Sequence, residues 1–250
     1  MNTSKPIAIV LAAGKGTRMK SDLPKVLIEV CGRPMIEYVL DTLTKAGIER
    51  ALVVVGYRSD LVRQTLAQRP GLRFVEQTEQ LGTGHAVMVC RQALGDHDGA
   101  VLIVTGDSPL AQPESLATLL TEFDRQRPAC LMGTAMKDDP HGLGRIVRDV
   151  DGGFERIVEE KDATDDERRI TEVNMSCYVF DGRELLFALD RLRPANAQSE
   201  YYLTDCPGVL KAAGRVVRAL PVLRPIEALS INTRDELAAV EDALRSSGRQ

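Results

Sequence analysis

The chain has no long apolar run, no Cys-x-x-Cys pair and no excess of positive charge, and each absence excludes a class of function. No stretch approaches the ~18 consecutive apolar residues that a bilayer-crossing helix requires, so no such span is expected. The five cysteines (Cys31, Cys90, Cys130, Cys177 and Cys206) are odd in number and far apart, and no histidine clusters near any of them. That pattern argues against a zinc site or a disulfide framework and for buried free thiols in a reducing compartment, the cytoplasm. A formal net charge of −4 argues against a general nucleic-acid binder, whose affinity is built from clustered cations. It leaves room for a local basic pocket that takes a small anion. The apolar segment 7–13 behind Lys5 has the outline of a short secretion signal, but a weakly basic flank containing Pro6 and the odd thiols favour a buried strand.

What the chain does contain is an alternation of strand and helix. Its 250 residues, 44% hydrophobic and 27% charged, are ordinary for a globular enzyme and long enough for a sizeable core. Apolar runs predict strands over 7–11, 52–55, 72–75 and 101–104. Helices are expected over 34–46, where Ile36, Leu40 and Leu43 share a face, over 60–67 capped by Ser59, over 84–94 capped by Thr83, and over 113–126. After about residue 127 the texture changes. Strands are expected over 129–136, 145–148, 154–159 and 173–180, with a Gly152-Gly153 turn between the second and third. The polar segment 162–171 reads as a loop or short helix. Helices over 183–192 and around 202–213 precede a strand over 216–220, and the capping box Thr233-Arg-Asp-Glu236 opens a last helix to about 246. Repeated strand–helix units with short links predict a doubly wound parallel arrangement in the first half. With no linker, internal repeat or low-complexity tract, one domain is expected, with a nucleotide half over about 1–127, a smaller hairpin-containing half over about 128–232, and a terminal helix and tail over 233–250.

Ligands of such sheets bind beyond the carboxyl ends of the strands. Three segments fall there: 11–18, 77–83 and 105–107. The first belongs to Ile7-Ala-Ile-Val-Leu-Ala-Ala-Gly-Lys-Gly-Thr-Arg18-Met19, a strand that empties into a glycine-rich loop and frees backbone N–H groups to approach an anion. A dinucleotide fingerprint would need a third glycine where Met19 stands, and a phosphate loop of the G-x-x-x-x-G-K-[ST] type is absent. A nucleoside triphosphate pocket is the reading left, with Arg18 and, in Leu23-Pro24-Lys25, a second cation set against the phosphates.

The string L-A-A-G-x-G-T-R-M, continued by L-P-K, resembles the opening of the sugar-phosphate nucleotidylyltransferases. Five further strings follow in order: Glu79-Gln-Leu-Gly-Thr-Gly-His-Ala86, Gly106-Asp107, Asp138-Asp-Pro-His-Gly-Leu-Gly-Arg-Ile146, Ile157-Val-Glu-Glu-Lys-Asp-Ala163 and Asn196-Ala-Gln-Ser-Glu-Tyr-Tyr-Leu-Thr-Asp205. Together they resemble the N-terminal uridylyltransferase domain of the bifunctional N-acetylglucosamine-1-phosphate uridylyltransferases, from about Ile7 to Asn232. The resemblance implies an α/β fold with a Rossmann-like, doubly wound mixed sheet of the nucleotide-diphospho-sugar transferase type. It implies formation of UDP-N-acetylglucosamine and pyrophosphate from UTP and N-acetylglucosamine 1-phosphate, with Mg²⁺ as cofactor. The alternatives are a uridylyl- or thymidylyltransferase acting on another sugar 1-phosphate such as glucose 1-phosphate, and a non-catalytic sugar-nucleotide-binding module.

The same resemblance implies roles residue by residue. Arg18 and Lys25 act on the phosphates, and Leu11, Ala12, Ala13, Gly14, Gln77, Gly82 and Thr83 bind the nucleotide. Gly144, Glu159, Asn174 and Thr204 bind the sugar, and Asp107 and Asn232 hold the metal. Taken singly, Asp107 reads as a turn or capping residue, Gln77 as a surface glutamine after a strand, Glu159 with Glu160 as a charged strand end, and Asn232 as a helix cap beside Thr233. Gln77 carries donors and an acceptor on one amide, which suits a uracil edge. The sugar phosphate brings its own anionic nucleophile, so no imidazole is needed, and His85 is expected to pack or hydrogen-bond at a helix start. The chain departs from the family after Asn174, where Met175-Ser176 replaces the usual Thr-Gly beside the sugar. It also ends at Gln250 without the hexapeptide repeats of a left-handed β-helix. The expectation is a uridylyltransferase without the acetyltransferase half, whether by nature or as a piece of a longer chain. Without the trimer which that half builds, a monomer is expected.

Overall fold

The computed structural model describes residues 4–16, 19, 21–196, 198–229, 231 and 233–248. Its first half runs β1 (Ile7–Ala12), a short hairpin of β2 (Glu29–Val30) and β3 (Arg33–Pro34), α1 (Met35–Lys45), β4 (Ala51–Val55), α2 (Ser59–Thr65), β5 (Leu72–Glu76), α3 (Thr83–Met88), α4 (Arg91–Leu94), β6 (Ala100–Thr105) and α5 (Pro113–Gln126). The second half runs β7 (Cys130–Met136), β8 (Arg145–Arg148), β9 (Phe154–Val158), α6 (Asp165–Arg168), β10 (Glu172–Asp181), α7 (Gly182–Leu189), α8 (Cys206–Ala212), β11 (Val217–Leu220) and α9 (Arg234–Ser246).

Among the described residues one sheet of nine strands has the order β11-β7-β10-β6-β1-β4-β5, with β8 paired to β10 and β9 to β8. β1 lies parallel between β4 and β6, with Val10 opposite Val53 on one side and Val104 on the other. β10 runs antiparallel to both β6 and β7, which makes the sheet mixed. Side chains alternate across a strand, so a strand covered on both faces must be apolar throughout. Val10, Val53, Leu102 and Val179 accordingly meet Leu43 of α1 and Leu119 and Phe123 of α5 on one face. Ile9, Val54, Ile103 and Phe180 meet Val87, Leu185 and Leu210 on the other. A third cluster joins Val30, Met35 and Tyr38 to Ile231, Val240 and Leu244, so that α9 seals the hairpin, with Met19 of the glycine loop packed against the same group. All five cysteines are free thiols, four of them buried. Among the described residues no helix is long and apolar enough to cross a membrane.

Several local expectations are corrected. Ser59 is the first residue of α2 and not its cap. The cap position is Arg58, left-handed at φ 46°, and the Ser59 hydroxyl donates instead to Glu76 Oε1 at 3.2 Å. Thr83 likewise begins α3, behind Gly82, and its hydroxyl accepts from Leu203 N at 3.0 Å. The single helix expected over 84–94 is two short ones, α3 and α4, separated at Val89-Cys90. The polar segment 162–171 carries the one-turn helix α6, opened by a capping box between Thr164 and Glu167. The capping box at Thr233 and Glu236 forms as expected, with Glu236 N donating to Thr233 Oγ1 at 3.2 Å.

One irregularity in the sheet bears on the site. Along β10, Asn174 faces Thr134 while Cys177 faces Gly133, so Met175 and Ser176 are extra residues in a bulge. Ser176 takes φ 50°, a left-handed conformation that costs an L-residue about 1–2 kcal/mol. Glycine escapes that cost but loses about 0.5–1 kcal/mol of backbone entropy on folding. Ser176→Gly is therefore expected to stabilise the fold by about 0.5–1 kcal/mol in urea unfolding, with an unchanged m-value. A loss of stability would show that the serine side chain contributes more than its backbone costs.

Candidate active site

The strand ends β1, β5 and β6 open into a cleft of about 320 Å³ lined by Leu11, Ala13, Gly14, Lys25, Gln77, Gly82, Thr83 and Asp107, within the size range of small-molecule sites. Eight of the candidate residues are thus brought together. Ala12 is not among the lining residues. Strand alternation sends its side chain to the opposite face from Leu11 and Ala13, into the core with Val10 and Val55. Arg18 and Asn232 lie outside the described residues.

The glycine loop is tied down on both sides. Tyr57 N donates to Ala13 O at 3.1 Å and Lys25 N to Gly14 O at 3.3 Å, while Lys15 Nζ sits 5.1 Å from the Tyr57 ring centroid. Gly16 has φ +67°, and a Cβ there would stand 2.8 Å from Lys25 Cβ. Glycine is needed at that point both for conformation and for the close approach of Lys25. Lys25 Nζ meets Asp107 Oδ2 at 2.6 Å, with the two side chains 17% and 25% exposed. A cation suited to phosphate and a carboxylate suited to a metal therefore face each other at the cleft wall. Among the described residues no group of three or more His, Cys, Asp or Glu side chains is gathered as a metal cage. One carboxylate fits an ion such as magnesium, which keeps several waters and takes its remaining oxygens from phosphates.

Gln77 is buried at the end of β5. Its Nε2 donates to Gly82 O at 3.1 Å and lies 3.1 Å from His85 Nδ1. Both amide hydrogens are thereby directed at protein acceptors, and the side chain has its oxygen left to accept from a ligand. His85, on the first turn of α3, holds this glutamine.

The candidate sugar residues form a second group. A Cβ on Gly144 would lie 3.4 Å from Glu159 Oε2 and 3.5 Å from Asn174 Cβ, and the Thr204 hydroxyl is hydrogen-bonded to the Glu159 carboxylate. A buried cation supports them. Arg145 is 1% exposed. Its guanidinium reaches Glu160 Oε2 at 2.7 Å, Arg168 O at 3.3 Å and the Leu143 carbonyl. Glu160 Oε2 also accepts from Gly142 N at 3.0 Å. The turn before Gly144 and the end of β9 that carries Glu159 are thus cross-linked. The two groups are joined where Leu203 N donates to Thr83 Oγ1 and Gly84 N to Tyr201 O at 2.7 Å. Gln80, Thr105 and Glu200 also line the cleft and were not singled out from the sequence. Gln80 and Glu200 lie inside the strings that carried the resemblance, whereas Thr105 had no signal beyond its place at a strand end.

A model of the MobA-like NTP transferase domain matches residues 8–195. The chain is 45% identical over 238 residues to the bifunctional protein GlmU of Lactococcus lactis subsp. lactis, covering 95% of this chain and 52% of the relative. It is 45% identical over 246 residues to that of Heliobacterium modesticaldum, covering 98% and 53%, and 43% over 242 residues to that of Geotalea daltonii, covering 97% and 53%. It spans about half the length of these curated relatives. A crystal structure of UDP-glucose pyrophosphorylase complexed with UDP-glucose superposes with a TM-score of 0.76 at 14% identity, covering 97% of this chain and 99% of that one, a likeness of fold.

Burial pushes the Glu159 carboxyl above its ordinary 4.5, and the charge of Asp162 adds to the rise against the Thr204 hydrogen bond. Asp205 is raised from 3.8 by burial and then by Glu159 and Asp162. An acid whose folded pKa is raised binds more protons folded than unfolded, so it favours folding at low pH and loses that advantage as pH rises through the folded value. These carboxylates therefore weaken the fold at neutral pH. Glu159→Gln is expected to melt at a higher temperature than the parent at pH 7.5, with the difference closing as the pH falls towards about 4.5. A variant that melts lower throughout would refute the assigned burden.

Proposed function

The chain belongs to the family of MobA-like NTP transferase domains, and from that premise we propose that it transfers the uridylyl group of UTP to N-acetylglucosamine 1-phosphate, releasing pyrophosphate. The observation that carries the reading is the continuity of one cleft, from the Gln77 amide oxygen to the Lys25–Asp107 pair, with the Gly144, Glu159, Asn174 and Thr204 group clasped to its edge through Thr83. The likeness to GlmU proteins over 95–98% of this chain supports it. The five free thiols support a reducing compartment, the cytoplasm.

A phosphate oxygen of the sugar 1-phosphate attacks the α-phosphorus of UTP. The bond from that phosphorus to the bridging oxygen breaks, and pyrophosphate leaves with the electron pair. The nucleophile is already anionic, so the protein's task is to hold two polyanions in line and offset their repulsion. Two unit charges ~4 Å apart repel by about 4 kcal/mol at an effective dielectric of 20. Lys25, held beside the glycine loop by its N–H bond to Gly14 O, counters that repulsion. Asp107, with Asn232 as the partner the family resemblance implies, would hold Mg²⁺. Such an ion would supply positive charge against the phosphate oxygens. Gln77 Oε1 accepts from the N3–H of uracil, and the unprotonated N3 of cytosine offers it nothing. Glu159 accepts from sugar hydroxyls. Gly82, at φ +107°, lets the Tyr201 carbonyl pack where a Cβ would stand and so holds the turn that lines the nucleotide cleft.

The test is pyrophosphate release over a panel of nucleoside triphosphates and sugar 1-phosphates with Mg²⁺. UTP is expected to exceed CTP by about tenfold or more in kcat/KM, with N-acetylglucosamine 1-phosphate the preferred acceptor and chelation abolishing turnover. No release with any uridine or thymidine triphosphate would sink the proposal. Asp107→Ala is expected to lower kcat about a hundredfold or more while the protein still folds. Retained rates at ordinary Mg²⁺ would remove Asp107 from the metal site.

A further inference from the structure

We propose that Tyr178 is a positioning residue for the sugar site: its hydroxyl fixes the orientation of the Asn174 amide so that the side chain meets the ligand as a hydrogen-bond donor. The inference rests on the uridylyltransferase reading and deepens its account of acceptor choice.

Asn174 Oδ1 receives two hydrogen bonds, from Tyr178 OH at 2.9 Å and from Ser176 N at 3.3 Å. A backbone N–H can only donate, so the atom it meets is the oxygen and the flip of the amide is decided. With Oδ1 committed, what Asn174 has left for a ligand is its Nδ2 donor. The backbone of Asn174 is fixed as well, since its N donates to Gly144 O at 2.8 Å. Tyr178 has no exposed surface. Burial, with the charge of Glu159 adding in the same sense, raises its hydroxyl well above the ordinary value, so it keeps the proton it donates.

The contact exists because of the bulge in β10. Residues i and i+4 of a regular strand lie roughly 13 Å apart, beyond the reach of a tyrosine to a neighbouring amide. Here Asn174 faces Thr134 and Tyr178 faces Met132. The two residues absorbed by the bulge leave them one side-chain repeat apart on the same face, roughly 7 Å. The left-handed Ser176 both makes the bulge and supplies the second donor. Met175 and Ser176, where the family resemblance implies Thr-Gly, are therefore compatible with a fixed Asn174, because the contact depends on the backbone of the bulge.

An amide held in this sense suits an acceptor on the sugar, such as the carbonyl of an acylamino group or a hydroxyl oxygen. It opposes an ammonium group, which can only donate. An amide free to turn would present Oδ1 to the ammonium and lose that discrimination.

Tyr178→Phe removes the hydroxyl and keeps the ring that packs in the core. Pyrophosphate release is measured for the parent and variant with UTP and either N-acetylglucosamine 1-phosphate or glucosamine 1-phosphate, alongside melting temperatures. The variant is expected to raise KM for the acetylated sugar phosphate about three- to tenfold, as one lost hydrogen bond implies, with kcat and the KM for UTP unchanged. The preference for the acetylated over the amino sugar is expected to fall by a similar factor. In an Asn174→Ala background the same change is expected to have no effect on sugar KM, since the amide it positions is gone. A variant that melts lower but keeps the sugar KM and the preference would reduce Tyr178 to a core residue and overturn the proposal, as would additive effects in the double variant. A parent with no turnover on any sugar phosphate would instead remove the uridylyltransferase reading, and this inference with it.

Discussion

The backbone ladder of β10 is the interaction on which the rest of the molecule depends. Its upper half, Tyr178 to Asp181, is hydrogen-bonded to β6 on one side and, through Tyr178 to Phe180, to β7 on the other. Among the described residues, the parallel strands that open into the cleft and the strands that carry Gly144, Glu159 and Asn174 are joined in the strand order through β10. A strand so placed has both edges paired and both faces covered, and its sequence obeys: Val173, Cys177 and Val179 fill one core, Tyr178 and Phe180 the other. Where its lower half departs from regularity, the departure falls beside the sugar group. The same strand therefore provides rigidity at one end and a shaped irregularity at the other.

Charge is distributed across the site in two ways. At the cleft, Lys25 and Asp107 pair with each other, which offsets part of the desolvation each charge suffers when partly buried. At the other end, burial raises the carboxyls of Glu159 and Asp205, the charge of Asp162 adds to both and that of Glu159 to Asp205, while Arg145 is engaged by Glu160 and main-chain carbonyls. Burial of the Glu159 and Asp205 carboxylates lowers stability at neutral pH locally, as is common where a fold carries a site.

Most of the fold was legible in the sequence. Continuous apolar runs marked β1, β4 and β6, and the 3.6-residue period with Pro113 at its start marked α5 to the residue. The β2–β3 hairpin was not legible, because two-residue strands carry no period. The caps at Ser59 and Thr83 were misread for a shared reason. Both hydroxyls answer a partner distant in sequence, Glu76 and Leu203, while Arg58 and Gly82 make the turns in backbone conformations that composition does not announce. The lining of the candidate cleft was legible where motif strings reached it. Ala12 is the instructive exception: the period of two already separates it from Leu11 and Ala13, so its inward side chain followed from the strand itself. Tyr178 was invisible for the opposite reason, since only the bulge brings it to Asn174.

The clasp between 81–84 and 201–203 has a bearing on how freely this chain can vary. Tyr201 N donates to Leu81 O at 2.9 Å, Gly84 N donates back to Tyr201 O, and a Cβ on Gly82 would stand 2.5 Å from that same carbonyl. Two main chains in contact leave no volume for a side chain to drift into. A substitution at Gly82 would push apart the segments that carry Thr83 and Thr204, so a single lesion would misalign both halves of the cleft. Met175, Ser176 and the side chains around them can be exchanged one at a time, because only the bulge backbone is paired there. The spacing between the two groups is instead set by main-chain contact on both sides of the clasp, so no single side-chain exchange there can retune it without opening it.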